Sequence, residues 1–280
     1  MNSPHSLPTH QNDSKRRGKL IVVEGTDGSG KTVQTHLLVE RLLKAGYQVQ
    51  MTDFPQYGKS FFADMIERYL NGEFGWPQEL KKHLKNYPLP KKRNYRSDLT
   101  SNKFLTKITN TEGIESKVDE VNPYLSSLLY AGDRWEMKDQ LDNWLDEGNI
   151  IISNRYVCSN MAHQGAKIKD IGERNKFFKW IEELEYKVYA IPRPNLTIYL
   201  HVSIDVSQEL IKARVKGSQG FKPEADLHEE DINYLKKVQD IYTYLAKEDS
   251  SWFTIGCTIN NQILPKKEIA EKVWNIINKN

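Results

Sequence analysis

Gly25-Thr26-Asp27-Gly28-Ser29-Gly30-Lys31-Thr32 stands between the run Lys19-Leu20-Ile21-Val22-Val23-Glu24 and a segment in which Val33, Leu37, Leu38 and Leu42 recur at helical spacing. An unbroken apolar stretch such as Leu20 to Val23 suits a parallel strand buried on both faces. The helical segment closes at Gly46, a residue type suited to the position just past a helix end. Strand, glycine-rich turn and helix in that order make the octapeptide a phosphate-binding loop of the Walker A type. Its glycines let backbone N–H groups close around phosphate oxygens. Lys31 supplies a point charge for β- and γ-phosphates, and the Thr32 hydroxyl a ligand for Mg²⁺. The helix N-terminus adds its own partial positive charge.

Along the chain, strand-like and helix-like segments alternate, which predicts a doubly wound α/β fold with a five-stranded parallel sheet. The second strand is expected over Tyr47-Gln48-Val49-Gln50-Met51-Thr52, ending towards Asp53-Phe54-Pro55. A short helix follows from Phe61 to Leu70. Asn122-Pro123 starts another, with Asn as N-cap and Pro at the first turn; it carries Leu125, Leu128, Leu129, Trp135, Leu141 and Leu145 towards Gly148. Ile150 to Ile152, Leu196 to His201 and Trp252 to Gly256 read as strands three to five. Helices are expected near Asp205, from about Glu229 to Ala246, and after Pro265. Residues 19–280 thus form one domain. Residues 1–18, rich in Ser, Pro, His and Asn, read as a disordered tail. From Trp76 to Lys117 the chain carries ten Lys/Arg against four Asp/Glu with poor periodicity, so about 76–120 reads as a basic insertion.

The chain has 280 residues, a formal charge of +3 and two cysteines, Cys158 and Cys257. That charge is weak evidence for a nucleic-acid partner, and none is expected. Two cysteines give neither a disulfide framework nor a metal cluster, which suits a cytoplasmic protein. No apolar run approaches the length that spans a membrane, so no membrane partner is expected.

Four further stretches matter together with the phosphate loop: Asp53-Phe54-Pro55-Gln56-Tyr57-Gly58, Leu128-Leu129-Tyr130-Ala131-Gly132-Asp133-Arg134-Trp135, Asn154-Arg155-Tyr156 through Gly165, and the basic loop around Arg214-Val215-Lys216-Gly217. In order, spacing and placement after successive strands they resemble the thymidylate kinase family, over essentially Lys19 to Asn280 outside the insertion. The resemblance implies a P-loop nucleoside monophosphate kinase that passes the γ-phosphoryl of ATP to dTMP with Mg²⁺, as a homodimer. Such a reaction asks for positioning and charge stabilisation rather than covalent chemistry.

It also implies roles, residue by residue. Gly25 to Thr32 would bind ATP, with Gly256 and Cys257 wrapping adenine. Lys31, Arg155, Asp27 and Arg214 would be the catalytic group: Lys31 on the ATP phosphates, Arg155 on the acceptor phosphate, Asp27 near the acceptor sugar. Arg214, in a lid with Lys216 and Lys222 near it, would meet the charge that Gly28 leaves without an arginine in the loop. Phe54, Tyr57, Tyr130, Arg134, Arg155, Asn160, His163 and Gln164, with Asp27, would hold dTMP. Tyr130 also lies on the helical stripe of Leu129, so core packing is its other reading. Thr32 is the expected metal ligand, with Glu24 or Asp53 as candidate helpers, because the family's usual aspartate is here Asn154. The alternatives are a deoxynucleoside kinase, against which Asn154 counts, and a catalytically weak nucleotide-binding protein.

Overall fold

The computed structural model describes residues 17–71, 121–217 and 232–279. Most of the expected insertion and tail lie outside them. Arg17 and Gly18, expected as the end of a tail, belong to the domain instead. Arg17 pairs with Asp142 at 2.9 Å, and the Gly18 N–H donates to the Leu145 carbonyl at 2.7 Å.

Five strands form one wholly parallel sheet: β1 (Lys19–Glu24), β2 (Val49–Asp53), β3 (Ile150–Asn154), β4 (Leu196–His201) and β5 (Trp252–Gly256), in the order β2-β3-β1-β4-β5. Alternate β1 residues serve two cores. Leu20 and Val22 face a layer built on α4 (Lys138–Asp146), α5 (Val157–Gly165), α6 (Ile171–Glu183) and α8 (Ile232–Glu248). Ile21 and Val23 face α1 (Lys31–Lys44), the start of α7 (Ile204–Gly217), and α9 (Lys266–Ile277). Burying each such side chain is worth about 1.5–3 kcal/mol, and two-sided burial explains why β1 tolerates no polar residue between Lys19 and Glu24.

β2 begins two residues later than expected. Gly46, at φ +86°, closes α1: its N–H donates to the Leu43 carbonyl and that of Tyr47 to the Leu42 carbonyl. This double closure is a Schellman motif, and it takes Tyr47 into the helix end. The long helix expected from Asn122 is two, α3 (Pro123–Glu136) and α4, broken at Met137 (φ −93°, ψ 0°). Leu125 and Leu129 pack with Tyr69 of α2 (Phe61–Leu70), whereas Leu141 and Leu145 enter the sheet core. One straight helix cannot serve both. A hairpin of β6 (Thr258–Ile259) and β7 (Gln262–Ile263) was not foreseen; Asn260 and Asn261 turn it at φ +50° and +58°.

Register decides the site. Val23 pairs with Asn154, and Asn154 with Asp53, so three strands end side by side where the phosphate loop begins. Ligands of doubly wound sheets collect at such carboxyl ends.

Candidate active site

The phosphate loop leaves β1 and turns into α1 through left-handed glycines, Gly28 at φ +76° and Gly30 at φ +83°. Gly28 has a second constraint: a Cβ there would lie 2.5 Å from the Ser207 carbonyl oxygen of α7. No side chain fits at this point of the loop. The Lys31 ammonium donates to the carbonyls of Gly25 at 2.9 Å and Thr26 at 2.8 Å, which folds it over the loop. The Ser207 hydroxyl holds the Asp27 carbonyl at 2.6 Å. The first turn of α1 carries no acidic residue to cancel its N-terminal charge.

Across from the loop, β3 delivers Asn154 and Arg155. The Asn154 amide donates to the Thr32 hydroxyl at 3.2 Å, while its Oδ1 is buried with no hydrogen-bond partner. Arg155 adopts φ +67°, and its N–H is anchored to the Val23 carbonyl at 3.0 Å. A non-glycine residue in that region is held by its surroundings and marks functional positions more often than chance. The guanidinium forms an ion pair with Asp27 and approaches Ser159 Oγ and His163 Nε2, each at 3.3 Å. Burial works to lower its pKa, but Asp27 above all raises it, and the balance lies above the usual value. Arg155 is a permanent cation.

Two cavities open here. One, of about 350 Å³, is lined by Phe54, Tyr57, Tyr130, Asn160, His163, Gln164 and Asp53 among others. The other, of about 700 Å³, runs from Asp27 through Gln34 to Leu210, Ile211, Ile263, Leu264 and Lys266. Asp27, Asn154 and Arg155 line both.

Most expected residues therefore converge, and six of the described ones line neither cavity. Arg134 does not line the small cavity: its guanidinium forks onto Glu185, both side chains buried. The Glu24 carboxylate is fully buried, accepting from the N–H groups of Tyr156 and Ser159 and from the hydroxyls of Ser159 and Tyr242. Burial raises its pKa against these lowering bonds; it faces α5 and α8 rather than the phosphate loop. Asp53 reaches the small cavity and not the large one. Gly256 and Cys257 do not line the large cavity. Cys257 is buried in the sheet core, its carbonyl accepting from Leu264 N–H at 2.8 Å, so the β6–β7 hairpin brings Ile263, Leu264 and Lys266 to the wall instead. Gly25 and Thr26 stand behind the cavity, holding Lys31. Arg214 belongs to α7; its side chain and Lys222 lie outside the described residues.

Sequence reasoning missed Ser159, Ser207 and Tyr234. Tyr234 lines the small cavity from α8 and bonds His163. Only its place on the apolar stripe of α8 was visible in sequence, and that suggests core.

A phosphate loop at the end of β1, a second cavity sharing a half-buried arginine with it, and the parallel order β2-β3-β1-β4-β5 define a P-loop nucleotide kinase. The model of the thymidylate kinase family matches residues 23–84 and 101–267, and the chain belongs to that family. It is 24% identical over 243 residues to the thymidylate kinase of Mycobacterium tuberculosis, covering 86% of this chain and 92% of that protein. It is 28% identical over 253 residues to the thymidylate kinase of Arabidopsis thaliana, covering 90% and 70%. Its fold is similar to a thymidylate kinase structure from Candida albicans, with a TM-score of 0.59 at 19% identity over 94% of this chain and 92% of that one.

Proposed function

We propose that the chain transfers the γ-phosphoryl group of ATP to dTMP, giving ADP and dTDP. The observation that carries this reading is the sharing of Asp27, Asn154 and Arg155 by two cavities, one walled by the phosphate loop and the other by aromatic and amide side chains. Two anions brought to one border need fixed cations there. Lys31 serves the triphosphate and Arg155 the acceptor phosphate. Their arrangement before reaction saves the reorganisation that water would require. The Asp27 carboxylate holds Arg155 until the acceptor phosphate arrives to share it.

Tyr130 and Phe54 give the pyrimidine apolar faces, and Asn160 and Gln164 offer amides to its edge or sugar. Arg134, held by Glu185, supports that wall from behind. His163 stands beside Arg155 on the sugar side. The base of ATP rests against Leu210, Ile211 and Ile263, and Arg214 of α7 is assigned to the charge of the transferring group.

The residues present fit Mg²⁺. Thr32 lines the nucleotide cavity and Asn154, with its unpartnered Oδ1, lines both, so the two would offer neutral oxygen donors, suited to an ion whose charge the phosphates balance. Mg²⁺, when bound, draws charge from the β- and γ-phosphate oxygens. Glu24 is excluded as its ligand by its hydrogen bonds, and Asp53 faces the acceptor.

A cytoplasmic homodimer completes the proposal on family membership; light scattering should then give twice the 32.6 kDa of the chain. No described helix is long and apolar enough to cross a membrane. ADP release is the test of function. It should be saturable with dTMP and absent with thymidine. Turnover of thymidine but not dTMP would contradict the proposal, as would saturable dTMP binding without ADP release.

A further inference from the structure

Arg155 is not aimed by its own loop alone. Asp27 takes one N–H of Nη2, and Nη1 faces two acceptors, Ser159 Oγ and His163 Nε2, each at 3.3 Å. Both acceptors are on α5. Each is in turn set by a tyrosine of α8, a helix that sequence reasoning left without a role.

Donor counting shows how. A tyrosine hydroxyl has one proton and its oxygen can also accept. Tyr234 donates to the His163 backbone carbonyl at 2.9 Å. Its oxygen, 3.3 Å from His163 Nδ1, therefore accepts the Nδ1–H. That tautomer leaves Nε2 with a lone pair, which points at Arg155. The second tyrosine works through Glu24. Tyr242 donates to Glu24 Oε2 at 2.9 Å and Ser159 to the same oxygen at 2.6 Å. Ser159 Oγ, which also lies 3.0 Å from the Tyr242 hydroxyl, accepts from Arg155, since a guanidinium only donates. Glu24 also caps the start of α5 through the Tyr156 and Ser159 N–H groups, at 2.9 and 3.1 Å. The buried carboxylate thus ties β1, α5 and α8 at one point.

Of the five guanidinium N–H groups, three are engaged by Asp27, Ser159 and His163. Nε–H and the second Nη2–H remain for a phosphate. We infer that Tyr234 and Tyr242 are positioning residues for the acceptor phosphate, acting through His163 and through Glu24 and Ser159 to fix the plane of Arg155. Neither tyrosine touches the reacting atoms in this role. The inference rests on the reading of Arg155 as the acceptor-phosphate arginine.

The test separates phosphate recognition from pocket shape by comparing dTMP with thymidine, which lacks the phosphate. Dissociation constants of both are measured by equilibrium dialysis for wild type, Tyr234→Phe, Tyr242→Phe, Ser159→Ala and Arg155→Lys, with Tyr244→Phe on the half-exposed side of α8 as control. Tyr234→Phe, Tyr242→Phe and Ser159→Ala should each weaken dTMP about fivefold, the value of one ordinary hydrogen bond, and leave thymidine within about twofold. The control should change neither. If Arg155→Lys weakens dTMP while the two tyrosine variants leave it unchanged, the positioning role is wrong and the reading of Arg155 stands. If the tyrosine variants weaken dTMP and thymidine alike, they shape the pocket and the inference fails. If Arg155→Lys leaves dTMP unchanged, the reading of Arg155 fails and takes the inference with it. Ser159→Ala removes one acceptor of Arg155 and leaves both tyrosine side chains in place, so the result does not hang on how a tyrosine variant folds.

Discussion

Asn154 sits where a charge would matter most, its amide 3.2 Å from the Thr32 hydroxyl and its Oδ1 buried without a partner. Asn154→Asp would place an anion beside Thr32 and close to Asp27. An added charge about 4 Å from a divalent ion is worth a few kcal/mol at the effective dielectric of such sites. The variant should therefore reach half-maximal rate at a Mg²⁺ concentration about tenfold lower or more, and bind ATP less well in chelator. An unchanged Mg²⁺ titration would contradict the placing of Asn154 at the metal. This residue was legible as a departure because its neighbours Arg155 and Tyr156 keep the family's order. The pairing of Arg134 with Glu185 was not legible: the two are 51 positions apart, and nothing local distinguishes an arginine that faces a ligand from one held by a buried carboxylate.

At the scale of elements, β1, α1 and the loop between them were readable because one short stretch carries strand burial, glycine placement and helical spacing together. Two glycines at that scale predict different outcomes. Gly46 has φ +86° and nothing within 4 Å of an added Cβ, so Gly46→Ala meets only backbone strain, about 1 kcal/mol. Gly28→Ala meets strain and a carbonyl at 2.5 Å. It should cost about 2–3 kcal/mol or force α7 away from the loop, and ATP affinity should fall with it. Urea denaturation with and without ATP checks both: Gly46→Ala should keep the full stabilisation by ATP, and Gly28→Ala should lose much of it. Boundaries were harder than elements. Tyr47 has strand chemistry but closes a helix, and the break at Met137 follows from two cores competing for one apolar stripe. Asn260-Asn261 is a weak turn signal, yet the hairpin it makes displaces Gly256 and Cys257 from the nucleotide wall.

For the whole molecule, a two-sided sheet encloses Cys257 completely and Cys158 in part. Burial pushes the Cys257 thiol up to about 11 and Cys158 well above its usual value. Little thiolate forms in either near neutral pH, and thiolate is the reactive species. Iodoacetamide at pH 8 should modify Cys257 only as fast as the fold opens, and in urea at the free-thiol rate; rapid labelling of Cys257 in the native protein would contradict the packing of the α1–α9 layer. The same architecture makes the central claim, that two substrates meet across Asp27, Asn154 and Arg155. Phosphorus NMR of the protein with ATP, dTMP and Mg²⁺ tests it most directly, because it shows where the γ-phosphoryl goes. The account predicts that the β-phosphorus signal of dTDP grows in step with ADP. Orthophosphate growing in place of dTDP would contradict it.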